Sequence, residues 1–264
     1  MKQKVALEHV QPSRLDIMPK GEFDLMKLLQ PVQMPRTSGL QASMSNPSSF
    51  LLGDEVLAFG TTGSVGSVND DSEFPVSYLI REGRVRILCH NNRLGRLASA
   101  STLGAGDIVG GDQLFCGAPL AYHAIAATDC QLLPIPPAQM HTFASRSSPL
   151  FDPLNQKIKE RQQLVFFKQF TQLYSLPSEV LKNTFLPRLR EIKLAPGETL
   201  SQGHSLANAH FWLRAGQLCR QGKAVPMGTA WTSPALEEDW RAQSEVVIYQ
   251  LPLNPWEVSL SLRS

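Results

Sequence analysis

No apolar run in this sequence approaches the roughly 18 residues that a helix needs to cross a bilayer. The opening stretch MKQKVALEHVQPSRLDIMPK also lacks the apolar segment of a secretory signal. Direct membrane insertion is therefore not expected, and the cytoplasm is the expected location. An excess of one charge is missing as well: 25 Lys and Arg stand against 23 Asp and Glu. So small a balance gives no electrostatic ground for a nucleic-acid partner. Zinc-type spacing is absent, because Cys89, Cys116, Cys130 and Cys219 form no CxxC pair and no Cys/His cluster. They read as buried free thiols of a reducing compartment. GxSxG, HExxH, GxxxxGK[ST] and Cys/His nucleophile patterns are missing too. The expectation is a non-enzyme with no catalytic residue, no metal site and no cofactor.

What is present divides along the chain, and 264 residues suit two domains. Residues 1–49 read as an N-terminal arm and linker: FDLMKLLQPV suits a short helix stopped by Pro31, and PRTSGLQASMSNPSS has too few apolar groups for a core. From Phe50 the pattern turns to short strands at 49–52, 56–59, 76–80, 84–88, 124–127 and 131–135. The pair 76–80 and 84–88 around Arg81-Glu82-Gly83 reads as a two-stranded hairpin. Arg81, Arg84 and Arg86 then fall on a solvated edge. At 151–190 the period changes. Asp152 suits an N-cap with Pro153 as first helical residue, and Leu154, Ile158, Arg161, Gln162, Val165 and Phe166 share one helix face. A break falls at 174–177, and SEVLKNTFLPRL forms a second short helix.

After this connector the β pattern repeats. LLGDEVLAFG and SYLIREGRVRIL are answered by LAPGETLSQG and HFWLRAGQLCRQ, with Tyr78, Ile80, Arg81 and Gly83 falling on Phe211, Leu213, Arg214 and Gly216. Residues 126–136 fall on 242–252 at an offset of 116, against 133 for the first pair, so the second copy is shorter by 17. Trp212, Trp231, Trp240 and Trp256 all lie in that second copy, where indoles would refill the space of a lost ligand.

The order LGDEVLAFG, YLIREGRVRIL, GAGDIVGGDQLFCGAPLAYHAIA resembles the cyclic-nucleotide-binding domain family, and 160–258 resembles a second such domain. The resemblance implies a mainly β fold with helices. It would consist of two cyclic-nucleotide-binding-like β-rolls (double-stranded β-helix, or jelly roll), at 50–150 and 191–264, joined by the helical connector at 151–190. It further implies a cassette that holds a cyclic phosphate on backbone N–H groups and one Arg, with a Glu for the ribose. A buried phosphodiester charge needs that cation.

Both charged positions depart from the pattern. Residues 106–126 contain no Arg or Lys; Gly111 stands where the Glu would be, and the Arg position falls on Leu120 or Ala121. The second copy places Glu237, Glu238 and Asp239 where a phosphate would sit. The turn of Gly106, Gly110 and Gly111 is kept, Asp107 and Asp112 read as caps of a short helix, and His123 reads as an ordinary strand residue. SYLIREGRVRIL, GDQLFCGAPLAYHAIAA, RQQLVFFK, LPS and HFWLRAGQ together resemble the N-terminal region of cyanobacterial peptidase-containing ABC exporters of the type I secretion kind. That likeness implies a non-enzymatic regulatory or interaction module whose partners are membrane transporter or peptidase domains. The alternative is a small-molecule sensor, its first pocket lined by Val109, Gly110, Gly111, Asp112, Gln113, Leu114, Ala121, Tyr122 and His123.

Overall fold

The computed structural model describes residues 47–60, 77–200, 209–232 and 240–252. The arm before residue 47, the acids Glu237, Glu238 and Asp239, and Trp256 lie outside these residues.

The first β unit has two antiparallel four-stranded sheets that share one interior. One runs β1 (Ser48–Phe50), β8 (Cys130–Ile135), β3 (Ser77–Glu82), β6 (Ile108–Val109). The other runs β2 (Glu55–Phe59), β7 (Tyr122–Ala126), β4 (Val85–Asn91), β5 (Arg96–Leu103). Alternation decides which side chains face inward: Val85, Ile87 and Cys89 on β4, and Tyr122, Ala124 and Ala126 on β7, are all buried. Arg81, Arg84 and Arg86 are exposed, as alternation and turn position require.

β3 and β4 do not form the expected hairpin: β3 pairs with β8 and β6, whereas β4 pairs with β5 and β7. The turn between them carries the chain from one sheet to the other. Gly83 (φ +88) is required because a Cβ there would strike the Asp129 carbonyl. Strand β5, rich in Ser, Ala and Thr, had no hydrophobic signal of its own; its pairing with β4 makes it a strand.

Helices follow. α1 spans Pro137–Ala144 and α2 spans Phe151–Phe170. α2 starts earlier than the sequence suggested: Leu150 is the N-cap, with no side-chain cap bond, and Asp152 sits in the first turn. The face read from periodicity is buried along its length, and Leu164, Phe167 and Lys168 are buried with it. α2 is packed on two sides, against the first β unit and against the second, so its last turns have little solvent face. A 3-10 turn (Gln172–Ser175) and a short helical run (Ser178–Val180, Leu181–Phe185, Leu186–Arg188) lead into the second unit.

That unit has one sheet in the order β13 (Ala230–Thr232), β10 (Ala209–Ala215), β15 (Val246–Pro252), β9 (Arg190–Leu194). The other has the order β12 (Lys223–Val225), β11 (Leu218–Arg220), β14 (Trp240–Ala242). The architecture is mainly β with helices, in two roll-like units. Pairing registers reproduce the sequence repeat residue for residue. Tyr78 opposite Pro134 and Ile80 opposite Leu132 correspond to Phe211 opposite Gln250 and Leu213 opposite Ile248. A bulge falls at the same step, between Ile80 and Glu82 and between Leu213 and Ala215. Gly216 repeats Gly83, with φ +88 and a Cβ path blocked by the Glu245 carbonyl. The earlier turn recurs too: Gly53 N–H donates to Ala126 O (2.9 Å), and Gly197 N–H to Ala242 O (2.7 Å).

The indoles divide between two roles. Trp231 and Trp240 stack at 4.6 Å inside the second unit, which fills its interior. Trp212 points the other way and meets Phe167 of α2 edge-on at 5.4 Å, in the core shared with the first unit.

Candidate functional site

The cassette begins at a backbone turn. Gly106, Gly110 and Gly111 all have φ between +76 and +85, a region that L side chains avoid. Two of those turns frame β6, and a 3-10 turn (Asp112–Leu114) follows. Asp112 does not cap it, contrary to expectation: the N-cap is Gly111, and no side-chain cap bond forms. Asp107 accepts instead from Gly104 N–H (2.9 Å) and from the exposed Lys157 ammonium (2.6 Å).

The Asp112 side chain points inward and is fully buried. Its carboxylate accepts four hydrogen bonds. Oδ1 takes Arg161 Nε at 3.1 Å and Gln162 Nε2 at 2.8 Å; Oδ2 takes Arg161 Nη2 at 2.7 Å and the Tyr122 hydroxyl at 2.7 Å. Arg161 is spent on the cassette as well, donating to Ile108 O at 2.6 Å and Gly110 O at 3.3 Å. Gln162 joins the far end by accepting from Leu120 N–H at 2.6 Å. Tyr122 accepts from Gly110 N–H at 3.2 Å, stacks on Phe59 at 5.1 Å and lies beneath the Arg161 guanidinium at 5.5 Å.

A buried ion pair persists only when its remaining donors and acceptors are met, and this one meets that demand. Burial alone would pull the Arg161 guanidinium down; Asp112 first, and Tyr122 after it, more than reverse this and hold it above its ordinary value. Burial pushes the Tyr122 phenol well up, with Arg161 opposing and Asp112 adding. The phenol is therefore a neutral donor to Asp112 across the physiological range.

The structure splits the nine residues marked from sequence. Val109, Gly110, Asp112 and Tyr122 meet in the network or beside it, and Gly111 shapes it. Leu114 turns outward to the layer of α1 and α2, and Ala121 lies against Gly60. Gln113 keeps a buried Oε1 without a partner among the described residues. His123 faces the opposite side of β7, one-third exposed, where Nδ1 meets Glu55 Oε1 at 2.7 Å. Exposed pairs of this kind contribute little, so His123→Ala is expected to change stability by less than about 1 kcal/mol in urea unfolding.

Arg161 and Gln162 were missing from the sequence-derived set. A signal existed: both fall on the apolar face of the connector, and a charge on a buried face needs a partner. Only the fold shows that the partner lies 49 residues upstream.

Two cysteines of the first unit are shifted by their surroundings. Burial and the Asp112 charge push the Cys116 thiol up to about 11, against Arg214, Arg161 and Lys159. Burial pushes Cys89 up to about 12, against Lys168. Since only thiolate reacts, both are expected to be alkylated by iodoacetamide at pH 8 at least about tenfold more slowly than in urea. Equal rates by peptide mass mapping would contradict these environments. Among the described residues no group of three His, Cys, Asp or Glu forms a metal site, and no helix is long and apolar enough to cross a membrane.

A sequence model described as the cyclic nucleotide-binding domain matches residues 70–147. That span, under a third of the chain, contains the cassette, and a domain of this type is present there. No curated protein matches the sequence significantly. Among solved structures the chain is similar to the regulatory domain of Toxoplasma gondii protein kinase A, crystallised with cAMP. That match has 14% identity, covers 83% of this chain and 81% of the other, and has a TM-score of 0.31. It is also similar to the regulatory subunit of a cAMP-independent protein kinase A from Trypanosoma cruzi, bound to guanosine (16% identity, 81% and 73% covered, TM-score 0.29). A third similar structure is a transcriptional regulator of the CRP/FNR family from Thermus thermophilus (22% identity, 46% and 54% covered, TM-score 0.31).

Proposed function

We propose that this chain is a non-enzymatic regulatory or interaction module in which the first cassette serves as a structural clasp rather than as a nucleotide site. The observation that carries this reading is the buried Asp112–Arg161 pair (2.7 Å). A cyclic phosphate entering here would meet the Asp112 carboxylate, and capturing Arg161 would strip that carboxylate of its cation in a dry site. The carbonyls of Ile108 and Gly110 and the N–H of Gly110 are already engaged. The clasp ties the first roll (50–150) to the connector (151–190), and the connector's aromatic face carries the second roll (191–264). The rival reading, a sensor built on the nine residues marked above, has less support, since His123 faces outward and Tyr122 is committed to Asp112.

An accessory role toward a peptidase-containing ABC exporter is supported by the resemblance of the quoted segments, and such a role implies a cytoplasmic module. Immobilised full chain is expected to retain the purified peptidase or nucleotide-binding part of such an exporter. Retention of neither part, with the chain folded by circular dichroism, would overturn the exporter context.

A further inference from the structure

A second charged region lies beyond the Asp112–Arg161 pair, at the seam between the two β units. A cleft of about 280 Å³ is bounded by residues 115–118, by α2 and by the sheet of β9, β10 and β15. Four cations line it: Arg146 after α1, Lys159 on α2, Lys193 on β9 and Arg214 on β10. Glu191 is the one acid lining it. None of the four has an ion-pair partner among the described residues. Another cavity, beside the cassette and about 590 Å³, behaves differently. There Lys157 is paired with Asp107, Lys182 with Glu160, and Arg161 with Asp112.

Arg214 is the distinguishing residue. It stands at the β-bulge, the position that Arg81 holds in the first unit. Arg81 is exposed, whereas Arg214 is only 6% exposed. It is held there by Phe166, whose ring lies 5.8 Å from the guanidinium, and by the bond from Nη2 to Ala118 O (2.9 Å). Among the described residues its buried Nη1 has no hydrogen-bond partner, although the guanidinium lies close enough to the Tyr249 hydroxyl to act on it. A buried charged donor left unmet is costly, and an anion in the cleft, which Arg214 lines, would offset the charge of its guanidinium. The three exposed cations approach from separate elements, as recognition of a multiply charged oxyanion requires. Burial first, with Arg214 opposing and Glu191 adding, pushes the Tyr249 phenol up to about 12, so at neutral pH it is a neutral lining group.

We propose that this cleft binds a compact oxyanion of two or more negative charges, a phosphate-type or dicarboxylate group. Ligand pockets for drug-sized molecules begin near roughly 300 Å³, so the volume suits a small metabolite and not a nucleotide. Because residues 115–118 and the second sheet both line the cleft, the anion would brace the two units against each other. The cleft borders the cassette at residues 115–118 and Gln162 but does not include the Asp112–Arg161 pair, so its failure would leave the clasp reading untouched.

The test is calorimetric titration of the full chain with pyrophosphate, and separately with malonate, at ionic strength matched by KCl. Saturable binding of one series is expected, and the series that binds names the head group. Lys159→Gln with Lys193→Gln, both exposed and outside the core, is expected to weaken binding about tenfold or more with the melting temperature of the unliganded chain unchanged. Arg214→Gln is expected to abolish binding. If neither series saturates, or if the lysine substitutions leave the affinity unchanged, the site does not exist as described.

Discussion

Arg161→Met is expected to lower the unfolding free energy by about 3–5 kcal/mol, the usual cost of leaving a buried charge without its partner. Arg161 and Asp112 side chains are 3% and 0% exposed, so no water can take over from the missing guanidinium. Asp112→Leu is expected to cost a similar amount, because it strands Arg161 among the carbonyls of Ile108 and Gly110. Combining the two removes both charges, and the double variant is expected to regain at least about half of the loss. Tyr122→Phe is milder, about 1–3 kcal/mol, since Gly110 N–H loses its acceptor while Asp112 keeps three donors. Urea unfolding followed by tryptophan fluorescence reads all four. A cost below about 1 kcal/mol for Arg161→Met would mean that the guanidinium is solvated.

The second large effect concerns the crossover turns. Gly83→Ala and Gly216→Ala are each expected to cost about 2–4 kcal/mol, the sum of a left-handed backbone penalty and a forced overlap. Each added Cβ would strike a carbonyl, that of Asp129 or that of Glu245, a backbone group held by the paired strand that begins at the next residue. Gly53→Ala is the control, because φ is +94 but nothing lies within 4 Å of its Cβ path. It is expected to cost only about 1–2 kcal/mol. Equal losses at all three positions would show that conformation alone, not the close approach, selects glycine in the two turns.

Those two glycines show what the sequence made legible. The repeat could be read because the close approach at each crossover tolerates only Gly, and because alternating apolar residues flank it. The partner strand of β3 could not be read, since a short connection between strands is the same string whether the chain folds back in one sheet or passes to another. Gly83 carries it across. The connector face was legible from its period, and it already contained Arg161 and Gln162. Their destination was not legible, because a contact spanning 49 residues leaves no local pattern. The cassette looked emptied of cations, with no Arg or Lys in residues 106–126, yet Asp112 meets a cation that comes from α2.

Titration calorimetry of the full chain with cAMP, and with cGMP, tests the clasp most directly. With Asp112 and Arg161 satisfying each other, neither nucleotide is expected to give saturable heat up to millimolar concentration, and the melting temperature should not rise. Saturable binding of either nucleotide that is lost in Arg161→Met would contradict the clasp and make Arg161 a ligand group.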